Sequence, residues 1–233
     1  MRKRFGALVV LDGVDFAVGA GEGVGIVGPN GAGKTTLLNV LAGTHRPDGG
    51  RVLFRGEDVT PRSAARRCRL GIGRAHQVPR PFGGMTVFEN VLVGAGAGGR
   101  RRGREKYRQA IDVLELCALG DLANRRAESL GLLHRKRLEL ARALATDPGV
   151  LLLDEIGGGL TEAEAAELVV TVGELRRRGI AIVWIEHIVH VLVQAIERLV
   201  CMDGGRVIAD GDPDEVMRDA TVVDAYLGSA AVR

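Results

Sequence analysis

The sequence predicts an α/β fold built around a parallel sheet, and three observations predict it. Short apolar, β-branched runs, GVGIVG (23–28), VLLLDE (150–155) and IAIVWIEH (180–187), have the length and composition of buried strands. Helical segments alternate with them, which is the rhythm of βαβ units. The first run leads into a glycine-rich turn and a helix, KTTLLNVLAG, and the second ends on two acids.

Each element has its own warrant. The helix of residues 161–178 opens on Thr161, a good N-cap, with acids in its first turn and arginines in its last, and Gly179 stops it. RVLFRGEDV (51–59) reads as strand and turn. From about 79 to 145 the strand signal vanishes and three helical patterns follow: TVFENVLVGA, EKYRQAIDVLELCAL and an arginine-rich helix from residue 135. This predicts a helical subdomain, about 79–145, inserted into a single domain spanning 1–233. Its connector GAGAGGRRRG (94–103) is expected to be mobile. Arginines 100–108 are expected in a solvated loop and helix start.

Composition narrows the function classes. The 233 residues suffice for one well-buried domain. With 46% hydrophobic and 26% charged residues and a net charge of +3, the chain is ordinarily globular and does not call for nucleic acid. Three scattered cysteines lack metal spacing and fit a reducing compartment. No signal peptide is visible. The longest apolar stretch, 179–196, carries Glu186, His187, His190 and Gln194, which argues against a simple membrane span. A soluble protein is expected.

The chemistry concentrates in two places. Gly28, Pro29, Asn30, Gly31, Ala32, Gly33, Lys34, Thr35 and Thr36 match G-x-x-x-x-G-K-[ST] between a strand and a helix. Glycines let backbone N–H groups turn toward a β-phosphate, and the helix N-terminus adds partial positive charge. Lys34 can reach the β- and γ-phosphates, and the Thr35 hydroxyl can ligate Mg²⁺. A merely structural turn would not require a lysine and two threonines in that order. Asp154 ends an apolar strand, so its carboxylate emerges at the sheet edge where α/β folds bind ligands. There it can hold the Mg²⁺ hydration shell, leaving Glu155 to orient or deprotonate a water. The plainer alternative for either acid is a helix cap or turn.

GPNGAGKTT, LLLDE, Gln77 in GRAHQ and His187 in WIEH stand in an order and at distances that resemble the ATP-binding subunits of ABC transporters, over essentially the whole chain. The resemblance looks closest to subunits serving branched-chain amino acid uptake, through KRFGALVVLDGVDF, MTVFENVLVG, ARALATDP, IEH and GRVIADGDPDEV…VVDAYLG. It implies a P-loop NTPase core of the ABC ATPase type, with an N-terminal antiparallel β portion and an inserted helical subdomain. It implies ATP and Mg²⁺ as ligands. The partners implied are integral-membrane permease subunits, a second ATP-binding subunit and, indirectly, a solute-binding protein, with no nucleic acid partner. The implied location is the inner face of the cell membrane. Phe5 matches an adenine-stacking aromatic, with a half-buried core phenylalanine as the rival reading. Gln77 matches the glutamine that senses Mg²⁺ and the γ-phosphate, and His187 the histidine at the γ-phosphate. Phe82, Met85 and Phe88 offer a docking patch toward a permease, with subdomain core as the equal alternative.

The sequence departs from this pattern at LGLLH (130–134). Gly131, Leu132, Leu133 and His134 occupy the place of a signature close to Leu-Ser-x-Gly-Gln, which in the family acts in trans on the partner's γ-phosphate. Gly131 has no hydroxyl to offer, and Leu133 puts a side chain where backbone should touch phosphate. Ile156 stands where proline usually follows the acids, and His76 where an aromatic is usual. The family's opening strand ahead of Phe5 is expected to be missing, as from a misplaced start. The leading reading is therefore an ATP-hydrolysing importer subunit with one impaired composite site. The alternatives are a regulatory module that binds ATP but hardly hydrolyses it, and a superfamily member acting on nucleic acid or ribosomes.

Overall fold

A computed structural model describes residues 1–98 and 101–230. In chain order the elements are β1 (Lys3–Phe5), β2 (Leu8–Leu11), β3 (Gly23–Val27), α1 (Lys34–Ala42), β4 (Leu53–Phe54), β5 (Glu57–Asp58), α2 (Ala64–Leu70) and β6 (Ile72–Ala75). The helices α3 (Val87–Gly98), α4 (Arg104–Leu116) and α5 (Leu132–Leu144) follow. Then come β7 (Val150–Asp154), α6 (Glu162–Arg177), β8 (Ala181–Ile185), α7 (Val189–Leu192), β9 (Arg198–Asp203), β10 (Arg206–Gly211), α8 (Pro213–Arg218) and α9 (Ala220–Ala230).

The central sheet runs β10-β9-β3-β8-β7-β6, parallel except where β10 pairs antiparallel with β9. Period-two alternation splits its side chains between two cores. Val24, Ile26, Leu152, Val183 and Ile185 pack on one face with Leu37 and Leu38 of α1. Leu151, Leu153, Ile182 and Trp184 pack on the other with residues of α3, α5 and α6. Thr161 caps α6 in a full capping box with Glu164, as its sequence predicts.

Three strands were not foreseen. β6 is short and carries Arg74, and β9 and β10 form a hairpin closed by Gly204 and Gly205, both at positive φ. A Gly-Gly pair between two apolar runs is the signal that marks such a turn. The expected antiparallel portion at the start is the β1–β2 ribbon, and residues 51–59 form the small β4–β5 hairpin. The opening strand expected to be missing is present in short form, since β1 leads up to Phe5.

The connector 94–103 also differs from expectation. Its residues 94–98 are the last turn of α3, and residues 99 and 100 lie outside the described residues. A Cβ on Gly94 would come within 2.4 Å of the Arg142 carbonyl oxygen, and one on Gly98 within 2.5 Å of the Thr146 carbonyl oxygen. These glycines let α3 lie close against the α5 region, so a composition that resembles a linker is here a packing seam. The exposed Arg101 and Arg102 lead into α4 as expected.

Candidate functional site

Four segments leave the same edge of the sheet, and each carries residues singled out in the sequence. The 28–36 loop follows β3, Gln77 lies just beyond β6, Asp154 ends β7 with Glu155 next, and His187 lies just beyond β8. Parallel strands deliver their C-terminal ends to one edge, which is where open α/β sheets hold ligands.

The 28–36 loop owes its shape to glycine. Gly28, Gly31 and Gly33 have φ of 139°, 84° and 97°. A Cβ on Gly28 would lie 2.0 Å from the Met202 carbonyl oxygen, and one on Gly33 would lie 2.6 Å from that of Val10. Gly31 instead faces open space. Lys34 opens α1, buried, and its ammonium donates to the carbonyls of Gly28 at 2.6 Å and Pro29 at 2.9 Å. Burial lowers its pKa, and the nearby Glu155, Cys201 and Asp154 charges oppose that shift. Ala32 closes the loop through its N–H to the Pro29 carbonyl, while Thr36 lies half-buried in the first turn of α1.

Thr35 and Asp154 lie together: the Thr35 hydroxyl donates to Asp154 Oδ1 at 3.3 Å. The buried Asp154 offers its second oxygen to Arg74 at 2.9 Å, and Arg74 also donates to the Asn39 side-chain oxygen at 2.6 Å. One hydroxyl and one carboxylate are the hard oxygen donors that suit Mg²⁺, which is usually held by one or two carboxylates together with substrate phosphates. No group of three or more His, Cys, Asp or Glu side chains able to hold a metal ion is found among the described residues.

Two candidate side chains converge on the carboxylate of a third, Glu155. Gln77 Nε2 donates to Glu155 Oε2 in a short contact, and His187 Nε2 pairs with Glu155 Oε1 at 2.9 Å. Glu155 itself adopts φ 47°, uncommon for a residue with a side chain. Its N–H donates to the Ile185 carbonyl at 2.9 Å, tying it to β8.

Other predicted residues lie apart from this cluster. Phe5 ends β1 with 45% of its surface exposed, so the core reading does not hold; its ring meets His45 edge-on at 5.2 Å and lies beneath the Lys3 ammonium. Gly131 is the N-cap of α5, and Leu132, Leu133 and His134 form its first turn. Leu132 is exposed, near Gly159, whereas Leu133 packs partly against the core. Phe82 and Met85 are exposed, but Phe88 packs against the core and stacks on Tyr107, so the expected patch keeps two of its three residues.

Sequence reasoning missed four residues around the site. Arg74 holds Asp154, and Tyr226 of α9 accepts the Gly28 N–H at 2.8 Å. Buried Lys136 of α5 and buried Glu186 hold backbone beneath the cluster. The sequence marks Glu186 only as a charge at the end of an apolar strand, and it gives Lys136, set between Arg135 and Arg137, no signal of its own.

The family model described as ABC transporter matches residues 11–157, which span the 28–36 loop, Gln77, Asp154 and Glu155. The chain belongs to the ABC transporter family. It is one of the family's ATP-binding subunits, an ATPase. A second model, described as Branched-chain amino acid ATP-binding cassette transporter, matches residues 206–232. The chain is 35% identical over 242 residues to a probable branched-chain amino acid transport ATP-binding protein LivG of Methanocaldococcus jannaschii, covering 97% of this chain and 94% of the relative. It is also 35% identical over 245 residues to the high-affinity branched-chain amino acid transport ATP-binding protein LivG of Escherichia coli K12, covering 99% and 96%. Among solved structures, an ATP-binding cassette of an ABC transporter in its ADP conformation superposes with a TM-score of 0.90 at 34% identity, covering 97% and 96%. These relatives favour the transport ATPase over the weakly hydrolysing regulatory module. No helix among the described residues is long and apolar enough to cross a membrane.

Proposed function

We propose that this ABC subunit hydrolyses Mg-ATP to energise an importer for branched-chain or related amino acids, at the inner face of the cell membrane. The convergence of Gln77 and His187 on Glu155, beside the 28–36 loop, carries the reading. The relatives named for branched-chain amino acid transport support the choice of cargo. One nucleotide-binding domain, 1–233, performs the work, and its helical subdomain spans about 79–145.

The residues divide the labour as follows. Backbone N–H groups of the 28–36 loop and the N-terminus of α1 take the phosphates, and Lys34 leaves the Gly28 and Pro29 carbonyls for the β- and γ-phosphates. Thr35, Asp154 and Gln77 would hold Mg²⁺, which would supply positive charge to offset that on the phosphate oxygens. Glu155 accepts a proton from the attacking water as its oxygen bonds to the γ-phosphorus and the bond to the β,γ-bridging oxygen breaks, giving ADP and phosphate. His187 turns from Glu155 to the γ-phosphate, and Phe5 stacks on the adenine.

The partners are integral-membrane permease subunits, a second ATP-binding subunit and, through the permease, a solute-binding protein. Phe82 and Met85 form the apolar part of the permease contact, with the Arg142 guanidinium 5.0 Å above the Phe82 ring. Gly131, Leu132, Leu133 and His134 make a weak trans signature, so the healthy composite site joins this chain's phosphate loop to the partner's signature. Titration with a fluorescent ATP analogue tests the foundation: Lys34→Ala should lose most of its affinity, and equal affinities would sink the assignment.

A further inference from the structure

Lys136 lies beneath the site and belongs to none of the roles above. It sits two residues past His134 on α5 and is only 4% exposed. A lysine is almost never buried unless its ammonium is paired or hydrogen-bonded. Here the ammonium donates to the Gln77 carbonyl at 2.6 Å and to the Glu155 carbonyl at 3.3 Å. Burial lowers its pKa, and the charges of Glu186 and Glu155 oppose that shift.

The two carbonyls belong to the two residues whose side chains meet, Gln77 and Glu155. They follow different strands, β6 and β7, and their side chains have no shared covalent support. A third element, α5, supplies that support through one charged group. Charge-assisted hydrogen bonds are roughly twice as strong as neutral ones. Glu155 also needs a restraint, because positive φ at a non-glycine residue persists only where the surroundings over-determine it. The Ile185 carbonyl holds its N–H, and Lys136 holds its carbonyl.

We propose that Lys136 is a positioning residue for ATP hydrolysis, tying α5 to the backbones of Gln77 and Glu155 and so setting how the Glu155 carboxylate meets the attacking water. The proposal rests on the functional reading above. It has a consequence for the dimer. The first turn of α5 is the segment offered to the partner's nucleotide, so a shift of α5 when the partner binds ATP is passed through Lys136 to this chain's own Glu155. Glu186 holds the opposite side: it accepts the N–H groups of Gly157 at 2.6 Å and His187 at 3.2 Å.

The test is steady-state ATP turnover by the complete transporter, with its permeases and second ATP-binding subunit, carrying Lys136→Met or Lys136→Arg. For Lys136→Met, kcat should fall on the order of 10- to 100-fold, the scale of a misplaced catalytic group. The KM for ATP, and nucleotide affinity by fluorescent-analogue titration, should stay within about threefold of wild type, because binding and positioning are separate contributions. Lys136→Arg, which keeps charge and donors, should recover most of the lost rate. If Lys136→Met does not fold, Lys136→Gln retains a donor amide and carries the same expected split between kcat and KM. A kcat within about twofold of wild type, a KM that rises as kcat falls, or an arginine variant as poor as methionine would each overturn the proposal. A wild-type complex with no ATP turnover would instead bring down the functional reading, and this proposal with it.

Discussion

Gly131 is the most informative residue to change. It is the N-cap of α5 with φ −69° and ψ 171°, extended backbone open to any residue, and no side chain caps the helix. A Cβ placed there meets nothing within 4 Å. The first hydrogen bond of α5 runs from the Arg135 N–H to the Gly131 carbonyl, so the N–H groups of residues 132–134 have no partner within the helix. Gly131→Ser can therefore cap one of them. The cap over glycine is worth a few tenths of a kcal/mol. Restricting the unfolded chain adds roughly 0.4–1 kcal/mol. Adding His134→Gln completes a capping box, serine at the N-cap and glutamine three residues on. The double variant should melt higher by about 2–4 °C for each kcal/mol gained. Leu133→Gly acts in the opposite direction, since Leu133 packs against the core and its truncation removes on the order of 2–3 kcal/mol. The triple variant should thus be less stable than the double and yet a faster homodimeric ATPase, by roughly 10²-fold, the worth of a restored donor to developing charge. Thermal unfolding and phosphate-release assays on wild type, double and triple variants separate these effects. A double variant that melts below wild type refutes the capping geometry. A brisk wild-type homodimer unimproved by the triple change shows that residues 130–134 are a working variant of the signature.

Other substitutions probe other parts of the site. Glu155→Gln should keep nucleotide affinity, lose about 10²-fold or more in turnover, and accumulate an ATP-bound dimer on size-exclusion chromatography. Gly94→Ala forces a Cβ to within 2.4 Å of the Arg142 carbonyl, and the overpacking should cost about 1–3 kcal/mol in urea unfolding. Tyr226→Phe leaves the Gly28 N–H without its acceptor; a loss of about 0.5–1.5 kcal/mol should appear as lower stability or up to roughly tenfold weaker ATP-analogue binding.

How legible the site is in the sequence depends on how local each signal is. The 28–36 loop, Asp154 and Glu155 could be read because consecutive residues carry their chemistry and the flanking strand and helix give the context. Gln77 and His187 could be identified only through a resemblance, since a glutamine beyond an unread four-residue strand carries no physical signature of its own. Gly94 and Gly98 were misread as linker because their reason is a carbonyl on another helix, far along the chain. Lys136 was hidden for the same cause. Among six charged residues of 14 between Arg135 and Pro148, nothing local marks the one whose ammonium points inward at two carbonyls.

The resting geometry also bears on why hydrolysis would wait for a complete site. Both oxygens of Glu155 are engaged, one by Gln77 and one by His187. A carboxylate so occupied is poorly placed to accept a proton from water. On the proposed roles, Gln77 would also bind Mg²⁺ and His187 the γ-phosphate, so a bound nucleotide would free the base by drawing its two partners away. Arg74 plays a parallel part at Asp154, supplying a positive partner to the carboxylate proposed to face Mg²⁺. The site would thus rest with its acids paired to its own side chains, and the arriving Mg-ATP would exchange those pairings for contacts with phosphate and metal. Backbone support from Lys136 would persist through the exchange, because its bonds are to carbonyl oxygens that take no part in the chemistry.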